Sequence, residues 1–201
     1  NTCNKGGGSI WRLEEIREIQ KVCSNNKLKL HLDGARLFNA LAETGESTKD
    51  YGMAFDSISI CLSKGLGAPV GSVLAGTNDF INHSRRIRKV MGGGMRQAGY
   101  IAAAGIYALD NHRDRITSDH DKAKKLEEGL KAQQYIDEVL AVETNIVVAK
   151  LTDNISTQQF ISTLQEKGIY IVPFGHQTIR MVTHLDVSDE MIKKVLDILT
   201  S

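Results

Sequence analysis

Lys64 is the only charged residue in "SISICLSKGLGAPVGSVLAG", residues 57–76, a stretch otherwise made of apolar and small neutral side chains. Ser63, Gly65, Gly67, Ala68 and Gly71 around it leave room for a flat molecule to approach the backbone. A lysine at the end of a buried strand can be desolvated, and desolvation lowers its pKa and makes the amine a nucleophile toward carbonyl carbon. That is the requirement for a Schiff-base lysine. A solvated loop lysine is the plainer reading of Lys64 taken alone.

Asp33 stands 31 residues upstream, at the end of "LKLHLD". A carboxylate ending a buried strand needs a cationic or hydrogen-bonding partner. One candidate is Arg36, its neighbour in "DGAR". The other is the pyridinium nitrogen of a cofactor, where a carboxylate keeps the ring protonated and electron-withdrawing.

These two residues depend on the elements that carry them. Leu13, Ile16, Ile19 and Val22 recur at three-residue steps and predict an amphipathic helix over 10–24, ended by "NNK". A strand over 28–33 follows, then a turn at Gly34 and a helix over 35–43 stopped by Gly45. "FDSISICLS" and "GSVLAG" read as strands flanking the lysine loop. Residues 79–91 predict a helix with a solvated basic face, and "QAGYIAAAGIYALDN" a tightly packed one. A charged helix over about 113–133 leads to "VLAVETNIVVAKL" (strand), "STQQFISTLQEKG" (helix), "IYIVPF" and "TIRMVTHL" (strands) and "SDEMIKKVLDIL" (helix). Ser156 and Ser188 are the expected N-caps of the two helices in this block. Alternating strands and helices predict an α/β sheet, mostly parallel, with functional groups at strand ends, followed by a small α+β domain.

Composition narrows the function. The 201 residues are 41% hydrophobic, enough for a sizeable core, and 25 basic against 24 acidic residues leave a formal charge of +1. No global field invites nucleic acid or an anionic membrane, so a small soluble partner is expected. Cys3, Cys23 and Cys61 form neither a CxxC pair nor a zinc-like spacing, so no metal site is expected. Their odd number fits a reducing, cytoplasmic compartment. No apolar run reaches the roughly 18 residues of a membrane span, and the first residues do not read as a signal peptide.

An aspartate after one strand and a lysine after another, at this spacing, is the pattern of fold-type I pyridoxal-phosphate enzymes. "HLDGARLFNA", "SISICLSKGLGAPVGSVLAG", "RRIRKVMGGGMRQAGYIAAAGIYAL" and "IRMVTHLD" together resemble the low-specificity L-threonine aldolases of the beta-eliminating lyase/threonine aldolase family. The resemblance covers nearly the whole chain. It implies an aspartate aminotransferase-like fold, with residues 1–112 the C-terminal portion of the large cofactor-binding domain and 113–201 the small α+β domain. It implies pyridoxal 5'-phosphate as cofactor and the cleavage of L-threonine, L-allo-threonine and related β-hydroxy amino acids to glycine and an aldehyde. Lys64 matches the lysine that holds the cofactor covalently, and Asp33 the partner of its ring nitrogen. Arg36 and Arg180 match the pair that binds the substrate carboxylate, a task suited to a planar guanidinium. Arg96 resembles the arginine near the cofactor phosphate, supplied in some members from a neighbouring subunit. A homodimer or homotetramer is implied.

None of the six histidines matches the family's catalytic ones, which lie upstream of the region covered. His31 shares a strand side with Asp33, either supporting it by a hydrogen bond or, as is commoner, sitting in the core. His184 reads as structural, and His83, His112, His120 and His176 as surface residues. "NTCNKGGGS" resembles the family's Asn-Thr-x-Asn stretch, with Cys3 where histidine is frequent. The three glycines of "GGGM" read equally as a backbone anion site or a hinge. The family's phosphate-binding loop also precedes this region, so the chain is expected to be the C-terminal part of such an enzyme and weakly active or inactive alone. Two other readings stand beside the aldolase. One is another fold-type I activity, such as β-elimination, racemisation or transamination; the other is a non-catalytic piece that acts in assembly.

Overall fold

The computed structural model describes residues 2–200; Asn1 and Ser201 lie outside the described residues. The chain forms two compact units. One comprises Ile10–Ile116 with Thr2, the other Cys3–Ser9 with the chain from Thr117 onward.

In the first unit the three-residue stripe becomes α1 (Leu13–Asn25), which buries Leu13 and Ile16 but leaves Ile19 and Val22 exposed. Its buried end joins Leu32 of β1 (His31–Gly34), Leu37 of α2 (Leu37–Thr44), Tyr51 of α3 (Thr48–Ala54) and Ile58 of β2 (Ser57–Cys61) in one core cluster. Each such side chain contributes roughly 1.5–3 kcal/mol when fully buried. Gly45 ends α2 in the left-handed conformation, φ 70°, donating its amide to the Leu41 carbonyl. Helix α3 has no counterpart among the predicted elements. Its sequence signal is Ser47-x-x-Asp50: the Ser47 hydroxyl accepts from the Asp50 amide at 3.2 Å while Asp50 accepts from the Ser47 amide at 3.1 Å, a capping box.

The first sheet has the order β1-β2-β3, with β3 at Ser72–Gly76. Strands β1 and β2 are parallel, but β2 and β3 are antiparallel, against the expectation of a mostly parallel sheet. The loop 62–71 is shorter than the dozen or so residues a parallel crossover requires, so β3 must run back along β2. Helix α4 (Asn78–Val90) is N-capped by Thr77 and buries no side chain. Helix α5 (Gly99–Asn111) is not the tightly packed helix its small residues suggest: it buries only Gly105, where an added Cβ would come 2.9 Å from Leu62, and Ala108, while Tyr100, Ile106 and Tyr107 are exposed. Ala108 packs with Leu62, Leu66, Ala68 and Ile116.

The second unit begins within α6 (Ile116–Lys131) and holds the sheet β4-β5-β7-β6, antiparallel throughout. The run "VLAVETNIVVAKL", residues 139–151, is a strand only in its second half, β5 (Ile146–Leu151), and its first residue, Val139, ends β4 (Ile136–Val139). The break falls where Thr144 and Asn145 spend their side chains on backbone carbonyls, of Gly8 and Thr183, at 2.8 Å each. Helix α7 (Thr157–Glu166), β6 (Val172–Gly175), β7 (Thr178–Val182) and α8 (Asp189–Leu199) complete the unit. Ser156 and Ser188 cap α7 and α8 as predicted, accepting from Gln159 and Met191 amides. Val147, Ala149, Leu151, Phe160, Leu164, Ile179, Met181, Ile192 and Leu199 supply most of its core.

Candidate active site

Asp33 and Lys64 are delivered by neighbouring parallel strands. The register pairs His31 with Ser57 and Asp33 with Ser59, so both strands run out toward the same sheet edge. Burial alternates along β1: Leu32 and Gly34 turn into the unit, His31 and Asp33 outward. Asp56 sets this register at the opposite end. Its carboxylate accepts from the Leu30 amide at 2.9 Å and from Lys29 Nζ at 2.8 Å, and its own amide donates to the Leu30 carbonyl at 2.9 Å. The Lys29 ammonium, then the Leu30 amide, hold the Asp56 carboxyl below the usual aspartate range.

Gly34 serves a different purpose from the sharp turn expected of it. A Cβ there would lie 2.7 Å from the Ser59 carbonyl oxygen, so glycine is required by close backbone approach between β1 and β2. Immediately beyond, Arg36 is half-buried at the N-terminal boundary of α2.

Lys64 occupies a turn closed by the Gly67 amide donating to its carbonyl at 2.8 Å. The loop is anchored by its apolar members. Leu62, Leu66 and Ala68 are buried, the Ala68 amide donates to the Leu62 carbonyl, and the Leu62 amide to Gly71. Lys64 itself is exposed, the plainer of the two readings of its sequence. In this chain the small residues let the turn form and the apolar ones hold it, while the amine projects into solvent.

Three residues that support this turn carry no sequence-level motif. His112 Nδ1 lies 2.6 Å from the Leu66 carbonyl and its ring meets Tyr107 edge-on, so it is a half-buried anchor of the lysine loop rather than a surface histidine. Arg115 Nη1 reaches the Gly65 carbonyl at 3.5 Å. Asn39, buried on α2, lies so close that a Cβ on Gly65 would be 3.0 Å from its Oδ1. These contacts tie α2, and with it the Asp33–Arg36 turn, to the Lys64 loop.

Other histidines also depart from expectation. His31 is exposed, not core, with Nδ1 2.8 Å from Ser57 Oγ across the strand pair. His120 is fully buried on α6, not at the surface. His184, read as structural, does not depart: it makes a local turn contact, accepting from the Asp186 amide at 3.3 Å.

Arg96 is exposed on the segment between α4 and α5. The glycines before it are neither anion site nor plain hinge: Gly92 has φ 84°, and the Gly92 and Gly93 amides donate to the Lys89 and Arg88 carbonyls. Those bonds finish α4 with a left-handed glycine cap, and they use the amides that an anion would need.

Arg180 belongs to the second unit. It sits on β7, a strand paired on both sides, opposite Val148 of β5 and Val172 of β6. Its Nη1 donates to Asn4 Oδ1 at 3.0 Å, its guanidinium carbon lies 5.0 Å from the Phe174 ring centroid, and its Nε is buried with no hydrogen-bond partner among the described residues. Asn4 is supplied by the "NTCNKGGGS" loop. Cys3 contributes its backbone, bridged to Ser9, and its side chain is exposed.

The fold is that of the aspartate aminotransferase-like, fold-type I class. The chain superposes on a threonine aldolase from Leishmania major with a TM-score of 0.80 at 22% identity, covering 96% of this chain and 57% of that one. A histidinol-phosphate aminotransferase from Clostridium acetobutylicum aligns with a TM-score of 0.71 at 16% identity, covering 98% and 60%. Residues 1–154 match the family model for beta-eliminating lyases, and the chain belongs to that family. It is 39% identical over 191 residues to low-specificity L-threonine aldolase 1 of Arabidopsis thaliana, spanning 94% of this chain and 53% of that protein. It is 38% identical over 192 residues to the low specificity L-threonine aldolase of Escherichia coli K12, spanning 96% and 56%. The chain thus spans about half the length of the curated relatives it matches.

Proposed function

We propose that the polypeptide carrying this chain is a pyridoxal-phosphate-dependent aldehyde-lyase that cleaves L-threonine, L-allo-threonine and related β-hydroxy amino acids to glycine and an aldehyde. The observation that carries this reading is the placement of Asp33 on β1 and of Lys64 in the loop just beyond its parallel neighbour β2, in a beta-eliminating lyase 38–39% identical to named threonine aldolases. The residues present fit the cofactor. An exposed primary amine suits an aldehyde, an outward carboxylate on the neighbouring strand suits a ring nitrogen, and the glycine-lined turn leaves a flat molecule room.

When bound, pyridoxal phosphate supplies the electron sink that accepts the pair released from the substrate's Cα–Cβ bond. Lys64 provides the nucleophilic amine that anchors it. Asp33 holds a proton on the ring nitrogen, which keeps the ring electron-withdrawing. Arg36 and Arg180 bind the substrate carboxylate by two-pronged, charge-assisted hydrogen bonds, and Arg96 serves the cofactor phosphate. In the overall reaction the β-hydroxyl gives up its proton, the Cα–Cβ bond breaks, the aldehyde leaves and Cα takes up a proton to give glycine.

Residues 1–112 then correspond to part of the large cofactor-binding domain and 113–201 to the small domain, in a homodimer or homotetramer. The thiols of Cys3, Cys23 and Cys61 are all free, which supports a reducing, cytoplasmic setting. No described helix is long and apolar enough to cross a membrane. Product analysis tests the activity. The loaded polypeptide, given L-threonine, is expected to release glycine and acetaldehyde in equal amounts; a keto acid or a D-amino acid would instead establish one of the other fold-type I activities.

A further inference from the structure

Strand β6 leaves part of its neighbour uncovered. Its pairing with β7 ends at Val172 opposite Arg180, although β7 continues to Val182. The run "IYIVPF" would extend that pairing, but the chain just before it is tied elsewhere. The Gly168 and Ile169 amides donate to the Gln165 and Leu164 carbonyls at 2.9 Å each, and Gly168 has φ 78°, a left-handed ending to α7. Pairing with β7 begins only at Val172. A cleft of about 490 Å³ stays open between residues 168–172, the end of β7 and α8.

The cleft has the size of a small-molecule site, and its lining selects the ligand. Ile171, Val182, Ile192 and Val195 give it apolar walls. Its charged and titratable groups are all of one kind: Lys194, His184 and Arg180 line it, and no Asp or Glu among the described residues does. Lys194 makes no ion pair among the described residues, and its Nζ reaches the Gly168 turn, 3.5 Å from where a Cβ would stand. The backbone adds a donor. Peptide groups alternate sides along a strand, and the Thr183 amide donates toward β5, to the Asn145 carbonyl at 3.0 Å. The Val182 amide therefore faces the other side, where β6 has stopped pairing.

We infer that this cleft binds a small monocarboxylate with an apolar body, its carboxylate met by Lys194 and the Val182 amide and its chain by Ile171, Ile192 and Val195. A carboxylate bound by an ammonium and a backbone amide takes charge-assisted hydrogen bonds, which a neutral ligand does not offer. A cation would meet basic side chains, and a wholly polar anion would leave the apolar walls unused. The inference needs only the cleft and holds whichever reaction the polypeptide catalyses.

The test titrates hydrocinnamate, and its neutral counterpart hydrocinnamyl alcohol, into the full polypeptide loaded with pyridoxal phosphate. Glycine is kept at saturation so that the substrate's own carboxylate site is filled. Calorimetry gives the affinity, and methyl NMR of labelled isoleucine gives the place. Hydrocinnamate is expected to bind one to one with a Kd of roughly a millimolar or less, shifting the Ile171 and Ile192 methyl signals. The alcohol should bind about 10-fold more weakly, and so should hydrocinnamate to Lys194→Met. Met191→Trp, which sets an indole at an exposed position lining the cleft, should weaken binding by at least as much. Both substituted positions are exposed, and each variant is checked for folding by its thermal melt. No binding up to about 10 mM, equal affinity for the alcohol, or an affinity unmoved in either variant overturns the inference. Methyl shifts that spare both Ile171 and Ile192 also overturn it.

Discussion

Replacing Gly34 by alanine probes the joint that places Asp33 beside β2. The added Cβ would sit 2.7 Å from the Ser59 carbonyl oxygen and 3.3 Å from Leu37 Cβ. Ordinary contact begins near 3.4 Å, so β1 and β2 must part by about 0.7 Å. The obstructing atom is backbone, held in a sheet paired on both sides of β2, and it cannot swing aside as a side-chain tip could. Overpacking of this kind costs about 1–3 kcal/mol. Alanine recovers about 0.4–1 kcal/mol by restricting the unfolded chain. The net expectation is a loss of roughly 1–2 kcal/mol. Gly52→Ala is the matched control, since it lies inside α3 with nothing within 4 Å of the added Cβ. It should stabilise by up to about 1 kcal/mol. Urea titration followed by the fluorescence of Trp11, the chain's one tryptophan and a member of the same unit, reads both. Equal midpoints for Gly34→Ala and the parent chain, or a destabilised Gly52→Ala, would refute the close-approach argument.

Two further outcomes follow from the same unit. The Asp56 carboxyl is depressed in the folded state by Lys29 and Leu30, so it stabilises the fold above the ordinary aspartate value near 3.9 and loses that contribution as pH falls through the lower folded value. Asp56→Asn should therefore melt lower than the parent at neutral pH, and the difference should shrink as the pH drops below about 3.9; a gap that persists unchanged in acid would contradict the linkage. His112→Ala removes the 2.6 Å contact to the Leu66 carbonyl and should cost about 1 kcal/mol. Hydrogen exchange at the Gly67 and Ala68 amides should quicken in that variant, and unchanged exchange would show that His112 does not hold the lysine loop.

Asp33 and Lys64 stood out because a carboxylate and an amine follow two strand-like runs in small-residue surroundings, and the four motifs around them resemble one family; the structure sets Asp33 on β1 and Lys64 just beyond the parallel β2. The helix caps at Ser156 and Ser188 were legible because capping is local chemistry. The direction of β3 was readable only from the length of its loop, which strand patterning ignores. The burial of His120 and the anchoring by His112, Arg115 and Asn39 are tertiary facts, set by residues dozens of positions away, and no periodicity records them. A desolvated Lys64 was possible at the end of a buried strand, yet Leu62, Leu66 and Ala68 are the buried members of its loop and Lys64 is exposed. The Asn4 contact to Arg180 spans 176 positions and could be found only in the folded chain.

The central claim, that Lys64 is the covalent anchor of pyridoxal phosphate, is tested most directly by reducing the cofactor-loaded polypeptide with borohydride and locating the pyridoxyl label by peptide mass spectrometry. The account predicts a single labelled peptide containing Lys64, and no specific label in Lys64→Ala. A label elsewhere, or one that survives in Lys64→Ala at the same stoichiometry, would contradict it.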